Sequence, residues 1–358
     1  MEDNGKRMLS WDIVKGITIL IMIVGHVASI PQQLRNFIFS FHMPVFFVAN
    51  AYFIKNYQIG YNLKRSSKSL LLPYILVCVV TAMLCVNIND DMSTNYRVFG
   101  ARILDMIGGI SKKSELFPWF ESVWMVWFVV CLFAARMIYI VSMRVLKKAP
   151  EIIRLLAVCL LTYTGYYIGT NISFLPWSLD IALFAQIFMW FGDFIHRKRF
   201  FLPYKRYIAC VGMVVWILLT LNGYWLELAI RRYPGGIICI VTALAGSIVV
   251  IFISECIEKI PVISRFFAWC GKNILWRIIR KEFSCVIKPH LGHFVYSGCT
   301  TVKRTLLCEQ FFFNKAHCTA AENEHNVFVF QQVVPEILQN RWNALIAFAH
   351  IRKLVYYN

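Results

Sequence analysis

Long apolar runs separated by short basic stretches fill the chain up to about residue 275. A bilayer-spanning helix needs about 20 mostly apolar residues. Eight stretches meet that pattern, at about 11–30, 37–54, 69–88, 122–142, 155–172, 179–195, 207–225 and 235–254. They predict an all-α polytopic transmembrane bundle. The first run follows Lys6 and Arg7, as a signal peptide would. It lacks a small-x-small cleavage site, because His26 stands two residues before Ala28, and seven more runs follow. It therefore reads as a retained helix. No solenoid repeat, low-complexity tract or P-loop is present, since Gly271-Lys272 lacks the rest of that motif.

The polar linkers orient this bundle. The linker near 55–68 carries Lys55, Lys64, Arg65 and Lys68 and no acid. That near 143–154 carries Arg144, Lys147, Lys148 and Arg154 against Glu151. That near 196–206 carries Arg197, Lys198, Arg199, Lys205 and Arg206. These are alternate linkers, so all three fall on one side. The intervening 89–121 sets Arg97, Arg102, Lys112 and Lys113 against Asp90, Asp91, Asp105, Glu115 and Glu121. Basic residues collect in cytoplasmic loops, which puts the N-terminus in the cytoplasm and predicts a multi-pass protein of the cell membrane.

Composition agrees. The 358 residues are 59% hydrophobic and 16% charged, with a mean hydropathy of +0.59. An ordinary soluble enzyme carries about 25% charge, so that class is excluded, as is disorder for most of the chain. Lys and Arg exceed Asp and Glu by 37 − 19 = 18. Topology accounts for much of this excess, so a nucleic-acid partner is not expected. Twelve cysteines occur singly, many inside apolar runs, such as Cys78, Cys131, Cys159 and Cys239. That usage predicts buried free thiols and not a disulfide framework.

The character changes at about residue 276. Residues 276–358 hold five of the eight histidines (His290, His293, His317, His325 and His350) and four cysteines, and they contain no Asp. Arg277, Arg280, Lys281 and Glu282 interrupt what otherwise resembles a ninth helix after Phe266. Three readings compete: a small cytoplasmic domain, a metal site through Cys285, His290, His293 and Cys299, or an out-of-frame translation. No CxxC pair or standard zinc spacing occurs, so no metal is expected. The division is thus 1–275, membrane-embedded, and 276–358, an atypical basic tail.

Ionisable groups inside a bilayer are costly, which makes each one a functional candidate. The first helix holds Asp12, Lys15 and His26. Asp12 and Lys15 are spaced to pair. Lys15 and His26 are eleven residues apart, about 20° past three full turns with a rise of about 16 Å, so they share a face. An imidazole is suited to proton transfer near neutral pH. The alternative is a snorkelling Lys15 and a His26 that merely bonds a neighbouring helix. The second helix adds His42, Asn50 and Tyr52 around Pro44. His42 is placed to meet His26, or else acts as a cap, and Asn50 can join helices. Arg136 either attracts an anion or snorkels. Asp193 is spaced to pair with Arg197, and Asp180 is either a cap or a site residue.

These residues resemble a known family. Arg7-x3-Trp11-Asp12-x2-Lys15-Gly16, an apolar run and His26 resemble the first-helix signature of the acyltransferase 3 family of integral membrane O-acyltransferases. Ser40-Phe41-His42-Met43-Pro44-Val45-Phe46-Phe47 through Tyr52 is similar to its second-helix signature. Leu72-Pro73-Tyr74 and Trp127-Phe128 before Leu132-Phe133 are weaker matches. Leu175-Pro176-Trp177 with Asp180 resembles the sugar-acetylating, fucose-acetylase-like branch, and Gly271-Lys272-Asn273 the start of a late helix. The resemblance covers about 1–275. Lys15 stands where many members have arginine, and Asn50-Ala51 where Ser-Gly is common.

The resemblance implies about ten spans and transfer of an acyl group, usually acetyl, from cytoplasmic acyl-CoA to a hydroxyl of envelope carbohydrate. It implies no bound cofactor, a glycan or lipid-linked sugar as acceptor, and membrane lipid as surroundings. His26 becomes the catalytic histidine and His42 its assistant. Lys15, with Arg136, holds the donor. Asp12, Asn50, Tyr52 and Asp180 are supporting residues, with Asn50 and Tyr52 as candidate oxyanion stabilisers. The family would continue past Asn273 into another apolar helix, which favours the frame-change reading of the tail. The rivals are a proton-coupled transporter or exporter, which would show paired broken helices, and an inactive truncated member.

Overall fold

The computed structural model describes residues 8–27, 30–84, 92–123, 126–198 and 204–272. All of them belong to one unit, Met1–Cys299. The tail division at 276 and its Cys285, His290, His293 and Cys299 lie outside the described residues.

Twelve α-helices run through the described residues: α1 (Leu9–Gly25), α2 (Gln32–Tyr52), α3 (Ile59–Ser66), α4 (Leu72–Leu84), α5 (Met92–Gly108), α6 (Trp127–Val145), α7 (Glu151–Asn171), α8 (Leu179–Phe184), α9 (Gln186–Lys198), α10 (Lys205–Leu221), α11 (Ile238–Glu258) and α12 (Pro261–Lys272). No strand occurs among the described residues, so the class is all-α, as the sequence predicts.

Among the described residues, each of the eight apolar stretches overlaps a helix, and 179–195 overlaps two, α8 and α9. Four helices among the described residues are long and apolar enough to cross a membrane: Ile59–Met83, Trp127–Val145, Glu151–Asn171 and Ile238–Glu258. Pro176–Phe184 and Gln186–Arg197 make a fifth if taken together, and they bend by 55° at Ala185. α1 and α10 have 17 residues each. α2 has 21, but it carries Gln32, Gln33, Arg35, Asn36, Ser40, His42 and Asn50. The expected linker 89–121 contains α5, which buries Asp105 and Gly108 against its surroundings. α3 passes into α4 through a π-helical turn, Ser67–Leu71.

α2 forms the centre. Its residues from Ile38 to Ala49 are all buried, and a helix apolar all round belongs inside a core. It packs on α1, α6, α9, α10 and α11. α7 is the opposite case. It buries only Val158, Thr162 and Gly165, one stripe at helical spacing, and turns its other apolar faces outward. Cys78, Cys131 and Cys239 are buried and free, as predicted, but Cys159 on the outer face of α7 is exposed and free.

α1 runs antiparallel to α2: Trp11 stacks on Tyr52 at 4.3 Å, while Gly25 lies against Ile38 and Phe39. On its other side α1 meets α12 at a very close approach. A Cβ on Gly16 would collide with the Phe267 carbonyl, and one on Gly271 with the Asp12 carbonyl. Small residues let two backbones touch this way. Gly271→Val is therefore expected to cost about 1–3 kcal/mol, the usual penalty of overpacking, and to release α12 from α1. A lower melting temperature in detergent, with faster proteolysis after α11, would record it; an unchanged melting temperature would place α12 elsewhere.

The three basic linkers share one end of the bundle, as their alternation predicts. Tyr57 Oη donates to Asp193 Oδ2 at 2.8 Å, Arg197 pairs with Glu151 at 2.8 Å, and Tyr52 packs on His196 at 4.9 Å. Asp193 pairs with Arg197 at 2.9 Å, as the i, i+4 spacing predicts. It also accepts from Tyr139 at 2.7 Å, a partner that spacing did not reveal. Burial and the Asp193 carboxylate push the Tyr57 phenol above its ordinary range.

Candidate active site

The two signature histidines meet. α1 ends at Gly25 and His26 caps it, with φ −94° and ψ 4°. The His26 ring lies 6.5 Å from the His42 ring, at 86°. Phe39 lies against both, at 5.4 Å and 5.1 Å. His26 is exposed at the end of its helix, whereas His42, halfway along α2, is 5% exposed. His26 thus sits at the exposed end of its helix and His42 inside the bundle. His42 is inside because α2 begins at Gln32, a turn and a half before the apolar run.

Both rings are held the same way. His26 Nδ1 lies 2.8 Å from Met22 O and His42 Nδ1 lies 2.9 Å from Ile38 O. A carbonyl oxygen only accepts, so each Nδ1 carries the proton. In the neutral ring the basic lone pair then sits on Nε2. Each imidazole is thus oriented by the turn of helix before it and presents a proton acceptor at its far nitrogen.

Lys15 lies at the other end of α1, its Nζ 5.1 Å from the Phe53 ring centroid. Asp12 is buried at 3% exposure. Tyr52 is held among Trp11, Phe53 and His196. Asn50 is near Tyr52 on α2, about 12 Å of helix rise beyond His42. The two residues expected to stabilise an oxyanion therefore sit at the Lys15 end and not beside His26.

Asn50 has another task. Arg136 Nη1 donates to Asn50 O at 2.9 Å and to Asn50 Oδ1 at 2.7 Å, and Nη2 donates to Asn62 Oδ1 at 3.3 Å. Arg136 is 7% exposed, so the snorkelling alternative does not hold. All these acceptors are neutral oxygens, and Arg136 Nε is buried with no hydrogen-bond partner. Asn62, missed in the sequence, is itself fixed by Asn56 O and Gln58 O at 2.9 Å each. Beside this guanidinium, the α3 segment and the π turn form a groove of about 350 Å³ lined by Tyr61, Lys64, Arg65, Lys68 and Ser69. Positive charge thus lies in two layers at the basic end, one buried and one open.

Asp180 is not a cap but an ion-pair partner. It forms a two-pronged ion pair with Arg231, at 2.6 Å to Nε and 2.9 Å to Nη2, and accepts from Leu175 N at 3.2 Å. Arg231 also bonds Ser111 Oγ and Ala229 O and lies 4.3 Å over Phe174. This cluster ties together three connections: 109–123, 172–178 and 222–237. The preceding Trp177 and Ser178 hold left-handed φ of 57° and 48°, a strained conformation, with Trp177 Nε1 donating to Ile107 O at 2.9 Å. Among the described residues, no group of three or more His, Cys, Asp or Glu is placed to hold a metal.

The comparisons with known proteins bear on the same region. A family model described as an acyltransferase domain, that of the acyltransferase 3 family, matches residues 8–276. No curated protein and no solved structure matches the chain.

Proposed function

The chain belongs to the acyltransferase 3 family of membrane acyltransferases, and on that premise we propose that it moves an acetyl group from cytoplasmic acetyl-CoA to a hydroxyl of a cell-envelope carbohydrate. The observation that carries this reading is the His26 ring, whose Nδ1 is committed to Met22 O and whose basic Nε2 lies at one end of a bundle with paired cationic sites at the other. The proposal includes eight spans in the cell membrane, with the N-terminus in the cytoplasm and the basic linkers beside it.

The donor's phosphates bind the groove of Lys64, Arg65 and Lys68, with Arg136 behind it and Lys15 on α1 as a further cation. The acyl thioester, at the end of the donor's long flexible arm, covers the rise of about 16 Å that separates Lys15 from His26. His26 Nε2 then takes the proton from the acceptor hydroxyl. The hydroxyl oxygen forms the new ester bond, the thioester carbon–sulfur bond breaks, and the thiolate leaves and recovers the proton. His42 orients the acceptor or assists that proton transfer.

The test is label transfer from radioactive acetyl-CoA to envelope glycans in membrane vesicles. Arg65→Met is expected to raise the KM for acetyl-CoA about tenfold, the worth of one charge-assisted contact, and raised salt should weaken the wild type in the same way. An unchanged KM in Arg65→Met would remove the groove from donor binding. Absence of transfer from the wild type would overturn the reaction itself.

A further inference from the structure

At the His26 end, one carboxylate and two guanidiniums lie close together outside the roles assigned above. The connection between α10 and α11 folds back on itself: Glu227 N donates to Arg232 O at 2.9 Å and Arg232 N to Glu227 O at 3.0 Å. Between them Leu228–Ile230 make one 3-10 turn, and Arg231 closes it with φ 54°. Neighbouring side chains are thereby sent opposite ways. Leu226, Leu228 and Arg231 go inward, with exposures of 0%, 1% and 6%. Arg232 goes outward, 5.0 Å over the Trp225 ring, and Glu227 is half-buried beside it.

This turn docks beside the histidines. Trp225 Nε1 lies 3.3 Å from the Asn36 side-chain amide, whose oxygen accepts from it once the amide is turned over. The adjacent Arg35 donates from Nη2 to Val27 O at 3.0 Å, the residue directly after His26. Arg35 Nε is buried and has no hydrogen-bond partner. Both Arg35 and Arg232 are close enough to draw the Glu227 carboxyl down, while burial pushes it up, and the net direction is upward. Neither is within ion-pair distance of Glu227 among the described residues. The buried Arg35 N–H that the protein leaves unsatisfied is costly, and the half-buried Glu227 carboxylate beside it has room for a further donor. A polyhydroxylated ligand answers both, because each of its hydroxyls donates and accepts.

We propose that Glu227, with Arg35 and Arg232, binds hydroxyl groups of the acyl acceptor beside His26, and that Glu227 determines acceptor specificity. This rests on the acyltransfer reading above. The Glu227 side chain takes no part in the anchors of the turn, which are backbone bonds, Trp225 and the Arg231–Asp180 pair, so its removal leaves the turn in place.

The experiment uses the full chain in membrane vesicles with radioactive acetyl-CoA and methyl fucoside, methyl glucoside and methyl galactoside as soluble acceptors. Glu227→Ala is expected to raise the acceptor KM tenfold or more while the acetyl-CoA KM stays within twofold. Glu227→Gln, which keeps an accepting oxygen, should fall between. An unchanged acceptor KM in an otherwise active Glu227→Ala would overturn the inference and leave the reaction standing. Equal rises in both KM values would assign Glu227 a structural role and also overturn it. A wild type that labels neither methyl glycosides nor the vesicles' own glycans would overturn the reaction and the inference together.

Discussion

His26→Ala is expected to lower acyl transfer by about 10²–10⁴-fold, the usual contribution of a positioned general base, with little change in stability. The first half follows from the ring's geometry. Its proton is held on Nδ1 by Met22 O, so the nitrogen left to accept a proton is Nε2, and alanine supplies neither. The second half follows from its position. His26 is exposed at the end of α1, so truncation removes local contacts, among them the bond to Met22 O and the ring contacts with Phe39 and His42, and no core is opened. A variant that inserts, melts like the wild type and fails to transfer label would agree. Transfer at the wild-type rate would remove His26 from the mechanism. His42→Ala has a mixed signature, because that ring is buried in α2 and its loss also leaves a cavity.

Asp180→Ala is expected to destabilise the bundle by about 3–5 kcal/mol, the cost of leaving one member of a buried ion pair alone. Both side chains of the pair are at most 1% exposed, and Arg231 would keep Ser111 and Ala229 as neutral partners. Arg231→Met should cost a similar amount through the abandoned carboxylate. The double replacement Asp180→Leu with Arg231→Met should recover most of the loss, since a well-packed apolar pair is often as stable as the ion pair it replaces. Thermal melting in detergent measures all three. A loss below about 1 kcal/mol for Asp180→Ala would mean that the pair is solvated, as exposed pairs are.

The site was legible in part. His26 and His42 came from their place in two helices, and helix geometry alone allowed them to meet. Their tautomers were not legible, because these depend on the rings turning back to Met22 O and Ile38 O. Arg136 was visible as a charge in an apolar run, but its partners Asn50 and Asn62 lie 86 and 74 residues away. Arg231 drew no attention, for it sits in a connection where arginine is ordinary. An acid in an apolar stretch without a local cation, such as Asp180, was the one signal that a distant base was needed.

What the sequence by itself determined is therefore local and periodic. Apolar runs set the helices, alternate basic linkers set which ends lie together, and two short signatures marked the family. Each of these depends on residues within a few turns of one another, where backbone geometry dictates the neighbours. The tertiary structure decided the rest: the bend at Ala185, the burial of Arg136, the Gly16–Gly271 approach and the gathering of Glu227, Arg35 and Arg232 beside His26. Apart from the bend, these are contacts between segments distant in the chain. A helical period tells which face must be covered but not by what, and only packing chooses the partner.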